Sequence, residues 1–107
     1  MEERTAIKAL AALVQPMRLR AFGALGMAGQ AGLTPGTMAD GLQVPAATLS
    51  FHLKELTNAG LVMRERSGRP LIYRADYGCT SEAFAYLTEN CCQGEPCVAH
   101  ARADCAC

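Results

Sequence analysis

The sequence predicts one small domain, mainly α-helical, with a single β-hairpin. Three observations predict it. The chain has 107 residues, half of them apolar, enough for one modest core but not for two. Apolar residues recur at helical spacing through most of the first sixty positions, punctuated by Pro and Gly where elements start and stop. Two short runs, LVMRER and LIYRA, then flank Ser67-Gly68-Arg69-Pro70, the composition of a hairpin with a four-residue turn.

The elements follow in order. Residues 3–14 form a helix with Ile7, Leu10, Ala11 and Val14 on one stripe. Pro16 suits the first turn of a second helix, where its missing N–H is not needed. That helix runs through MRLRAFGAL and fades among Gly26, Gly29 and Gly32. Thr34 as cap and Pro35 as first residue open a short third helix that ends near Leu42. A fourth runs from about Pro45 to Ala59, with Gly60 just past its end. After the hairpin a last helix covers about 79–91, and Gln93-Gly94-Glu95-Pro96 stops it. Beyond Cys97 there is no periodicity. Two helices joined by a tight connection and followed by a basic hairpin match a winged helix-turn-helix in order and length.

Net charge is zero, but its distribution is uneven. Residues 46–74 hold Lys54, Arg64, Arg66, Arg69 and Arg74 against Glu55 and Glu65, a local sum of +3. Residues 75–107 sum to −4. Local charge decides where a phosphate backbone sits, so the central third is the candidate nucleic-acid face. On the fourth helix, at about 100° per residue, Leu49, Leu53 and Leu56 share the core face. Ala47, Phe51, Lys54 and Asn58 fall opposite, flanked by Thr48 and Ser50. An outward Phe51 suits contact with a thymine methyl in the major groove. Thr48 and Ser50 are placed to bond base edges or phosphates, and Lys54 lies near the backbone. His52 sits beside the leucines and reads as a packing residue. Arg64 and Arg66 alternate onto one face of the hairpin with Arg69 at the tip, placed for phosphates or the minor groove. The alternative for that hairpin is a solvated edge strand protected by charge.

Five of the six cysteines, Cys91, Cys92, Cys97, Cys105 and Cys107, fall in the last seventeen residues. The start, MEERTAIKAL, carries acids where an export signal carries basic residues, and no apolar run approaches a membrane span. The expected setting is a reducing cytoplasm, where clustered thiols mark metal binding or redox chemistry rather than disulfides. Cys91 follows Phe84 and Leu87 on the apolar stripe of the last helix. A turn at Gly94 and Pro96 can swing Cys97 back over Cys91 and Cys92. Three soft thiolates without a hard fourth ligand suit trivalent arsenic better than zinc. The competing reading makes Cys91 a small hydrophobe at an interface. Cys79, apart from the cluster, reads as a packed residue, and His100 as exposed. Cys105 and Cys107 have no assigned role.

LSFHLKELTNAGLV, with the RSGR turn and YRA after it, resembles the ArsR family of metalloregulatory repressors (ArsR/SmtB) over about residues 5–90. The resemblance implies a homodimer joined through its first and last helices, residues 1–92 forming the DNA-binding and dimerisation domain and 93–107 a cysteine-bearing tail. It also implies a dimer that binds operator DNA and is released by its ion. The arsenic members' Cys-x-Cys-x-x-Cys signature is missing, since Thr34, Gly36 and Ala39 stand in its places. ENCC…C instead is similar to the C-terminal arsenical variant, which puts As(III) on Cys91, Cys92 and Cys97. Antimonite, Sb(III), and methylarsenite remain alternative inducers. Two rival functions are a thiol-based redox-sensing repressor, in which oxidation releases DNA, and an interaction or ion-carrier module that binds no DNA. No convergent nucleophile–base pair or carboxylate pair is visible, so an enzyme is not expected.

Overall fold

A computed structural model describes residues 1–66 and 71–89. The element order is α1 (Glu3–Leu13), α2 (Pro16–Ala28), a 3₁₀ turn (Gly29–Ala31), α3 (Pro35–Leu42), α4 (Ala46–Asn58), β1 (Val62–Arg66), β2 (Leu71–Ala75) and α5 (Tyr77–Leu87). Helix starts follow local chemistry. The Gln15 side chain accepts from the Arg18 amide ahead of Pro16, and Thr34 Oγ1 accepts from the Thr37 amide ahead of Pro35. Asp76 accepts from the Cys79 amide and so starts α5 at Tyr77, two residues earlier than expected. Between α3 and α4 the chain turns on Gln43, at φ 56° and ψ 51°, and its N–H closes onto Asp40 and Ala39 carbonyls.

The core is a layer of helices on the inner face of the hairpin. Leu25 of α2, Met38 of α3, Leu49, Leu53 and Leu56 of α4, and Leu61 are all buried, joined by Val62, Tyr73 and Ala75 of the strands. Each buried leucine contributes about 1.5–3 kcal/mol by leaving water. β1 and β2 pair antiparallel, with Val62 opposite Ala75, Arg64 opposite Tyr73 and Arg66 opposite Leu71. On its other edge β2 forms a bridge between Tyr73 and Leu33, amide to carbonyl in both directions at 3.0 and 2.9 Å. The hairpin is thereby tied to the residue preceding the cap of α3.

In α1 the residues facing inward are Ala6, Ala9 and Ala12, so that Ile7, Ala11 and Val14 of the apolar stripe face away from the core. Ile7 and Val14 are 60% and 83% exposed, and on the adjacent α5 Phe84 and Leu87 are 59% and 57% exposed. The helix expected over 79–91 closes at Leu87. The Thr88 hydroxyl bonds back to the Phe84 and Ala85 carbonyls, and the Glu89 amide closes onto Tyr86 with a tighter turn. Cys91, Cys92 and Cys97 lie outside the described residues, as do Arg69, His100, Cys105 and Cys107.

Candidate nucleic-acid interface

α4 is anchored on three sides. Leu49, Leu53 and Leu56 turn inward, and α1, α2 and α3 all pack against the helix. The opposite face is free. Ala47, Thr48, Ser50, Lys54 and Asn58 are exposed, and Phe51 presents 56% of its surface to solvent.

Strand register decides which hairpin side chains join that face. Alternation puts Arg64 and Arg66 on the side of Val62, Tyr73 and Ala75, and puts Met63, Glu65, Ile72 and Arg74 on the other. At its root the inner side is apolar and buried. Farther out it becomes cationic. Arg64 and Tyr73 from the hairpin, with Ser50, Lys54, Thr57 and Asn58 from α4, line one cleft of about 350 Å³. Two cations, three neutral hydrogen-bonding side chains and an aromatic ring thus border a single groove.

Comparison with known proteins agrees with this geometry. Residues 13–65 match the helix-turn-helix domain family. Among solved structures the chain is similar to an ArsR-like transcriptional regulator from Rhodococcus sp. RHA1, with TM-score 0.75, 23% identity, and 92% of this chain and 91% of the other covered. It is also similar to a point mutant of S. aureus MepR bound to an oligodeoxyribonucleotide, with TM-score 0.61, 22% identity, and coverage of 86% and 70%. No curated protein matches the sequence. The fold is a winged helix-turn-helix. In its terms α3 and α4 are the helix pair, α4 is the recognition helix, and β1–β2 is the wing.

Of the seven residues expected to contact DNA, Ser50, Lys54 and Arg64 border the one cleft, and Thr48, Phe51 and Arg66 are exposed on the same helix and wing. Arg69, the seventh, lies outside the described residues. Arg74 does not join them, although the charge count included it. It pairs with Glu65 on the outer side of the wing, and its Nε donates to the Gln30 carbonyl at 2.7 Å. His52 is 8% exposed, beside the leucines as its helical position predicts. Its partner was not visible in the sequence. Arg18 of α2, 34 positions away, donates from Nε to His52 Nδ1 at 3.3 Å and sets its guanidinium 5.7 Å from the Phe51 ring centroid.

Cys79 is half-buried against the core. Its Sγ lies 4.0 Å from the Ala59 carbonyl and under Gly60, where a Cβ would stand 3.6 Å from the sulfur. Burial, then the carboxylates of Asp76 and Glu82, push the thiol above its ordinary value. Such a thiol is a poor nucleophile and a poor ligand. Among the described residues no group of three His, Cys, Asp or Glu side chains is arranged to hold a metal ion, and no helix is long and apolar enough to cross a membrane.

Proposed function

We propose that this protein is a transcriptional repressor that binds operator DNA as a homodimer, and that trivalent arsenic, held by Cys91, Cys92 and Cys97, releases it. One observation carries the DNA reading. The recognition helix turns Phe51 and its polar side outward, while Arg64 of the wing borders the same groove and Arg66 lies on the same side of the strand. A helix inserted into a major groove can read a thymine methyl with Phe51 and base edges with Thr48 or Ser50, while Lys54, Arg64 and Arg66 neutralise flanking phosphates. Similarity to an ArsR-like regulator and to a DNA-bound regulator supports this reading.

The uncovered Ile7, Val14, Phe84 and Leu87 on neighbouring helices support a second copy as the partner of α1 and α5. Four large apolar side chains, each more than half exposed among the described residues and carried on two helices that pack together, are the kind of surface that a domain covers by self-association. A two-fold pairing there sets two recognition helices for successive major grooves.

The arsenic reading rests on donor chemistry. Three sulfur donors without an obvious fourth hard ligand match a three-coordinate thiophilic ion, and Cys91 follows the last residue of α5 by four positions. A ligand bound next to the dimerising helix biases how the subunits sit. Coupling of about 1–3 kcal/mol lowers operator affinity about 5- to 150-fold. The test is a fluorescence-anisotropy titration on duplexes selected in vitro, with arsenite, antimonite, methylarsenite or peroxide added. Arsenite should release wild-type protein, and Cys91→Ser, Cys92→Ser and Cys97→Ser should each blunt that release. Release of all three variants at wild-type arsenite concentrations refutes the receptor, and release by peroxide alone favours the redox alternative.

A further inference from the structure

We propose that Arg18 of α2 is a positioning residue for base readout: it clamps the Phe51 ring while holding the neighbouring His52 through its Nδ1. The inference rests on the DNA-binding reading and adds to it a specificity determinant outside the recognition helix. Phe51 and His52 are consecutive, and consecutive helical side chains diverge by about 100°. A residue one turn away on α4 can neighbour both; here the group that touches both reaches in from another element. It is Arg18, with its Nε bonded to His52 Nδ1 at 3.3 Å and its Cζ 5.7 Å from the Phe51 centroid. The two rings meet edge to face, with centroids 5.4 Å apart and planes at 62°.

The chemistry explains why an arginine suits the place. A planar guanidinium offers an edge to the imidazole and a face to the phenyl ring at once, which a lysine ammonium cannot do. Its base is fixed, because the Arg18 amide donates to Gln15 Oε1 at 2.9 Å in the first turn of α2, two residues after Pro16. His52 is 8% exposed and cannot swing away, whereas Phe51 is 56% exposed and has few protein neighbours to hold it. An unrestrained surface ring hops between rotamers on the nanosecond scale. The clamp narrows that set, so the ring is already oriented before it meets a base. Accepting at Nδ1 also fixes the neutral imidazole as the Nε2–H tautomer.

The experiment uses full-length protein, a duplex selected by the wild type, and a scrambled duplex of the same length and composition. Wild-type preference for the selected duplex should fall about two- to fivefold in Arg18→Met. Arg18→Lys keeps the charge, so its affinity for scrambled DNA should hold while the preference falls comparably; it also carries the test if Arg18→Met does not fold. Nitrogen NMR of the free protein should show His52 Nδ1 as an unprotonated acceptor. Unchanged preference in both variants, with a selective wild type, overturns the clamp and leaves the DNA reading standing. A proton on His52 Nδ1 in the wild type overturns the clamp without reference to DNA. A wild type that selects no duplex removes the DNA reading, and the role of Arg18 with it.

Discussion

Replacing Gly32 with Ala should be among the most damaging single-methyl changes in this protein. Gly32 sits at φ 68° and ψ −172°, a region open essentially to glycine alone. A Cβ there would lie 2.5 Å from the Tyr73 carbonyl oxygen, 2.6 Å from Ile72 Cγ2 and 3.0 Å from Arg74 Cγ. The first of these is backbone and cannot rotate away. It is also the oxygen that accepts from the Leu33 amide, so relief of the clash opens the bridge. The conformational part costs about 1–3 kcal/mol, and weakening one or two hydrogen bonds adds about 0.5–1.5 kcal/mol each. A loss of about 2–4 kcal/mol lowers the melting midpoint of a domain this size by about 10–25 °C. Gly29→Ala is the internal control, with φ 67° but nothing within 4 Å of its Cβ. It bears the conformational cost alone. Urea melts of both variants at one protein concentration separate the terms, and a Gly32→Ala loss within about 0.5 kcal/mol of the Gly29→Ala loss refutes the contact argument.

Three further outcomes are expected. Arg64→Ala and Arg66→Ala should each reduce the slope of log affinity against log salt by about 0.9, whereas Arg74→Ala, tied to Glu65 and Gln30, should leave the slope nearly unchanged; equal effects from all three would show that wing sidedness does not matter. Gln43→Gly relieves a left-handed residue at the end of α3 and should raise stability by about 1 kcal/mol in thermal melts; a loss would mean that the Gln43 side chain contributes more than its backbone strain takes away. Cys79 holds its proton more tightly folded than unfolded, so its contribution to stability is full below the ordinary thiol value of 9.0 and is lost as pH rises through the folded value. A variant retaining only Cys79 should therefore alkylate far more slowly folded than in urea at pH 8, and equal rates would contradict the burial.

The parts of the fold that were legible were those written in local chemistry. Thr34-Pro35 announced α3, the Leu49, Leu53 and Leu56 spacing fixed which side of α4 is buried, and Gly60 marked its end at φ 84°. What escaped depends on tertiary neighbours. The α1 stripe has the right period, but periodicity cannot say whether small or large residues face the core, and here Ala6, Ala9 and Ala12 do. Arg74 counted as a cation until the strand register turned it toward Glu65. Arg18 could not be linked to Phe51 and His52, since nothing local records a contact across 34 positions. The extent of the last helix was overdrawn because apolar spacing continues to Cys91, while Thr88 closes the helix sooner through its own hydroxyl.

The pairing of Arg74 with Glu65 has a directional effect. Along the described part of the wing, the uncompensated guanidinium groups, Arg64 and Arg66, sit on the inner surface, and the reverse side is close to electrically silent. A two-stranded ribbon so arranged is a lopsided charge plate. In the field of a polyanion it experiences a torque as well as an attraction, turning its α4 side inward before contact. A molecule of zero net charge thus gains orientation in an electric field without gaining a general stickiness toward anions.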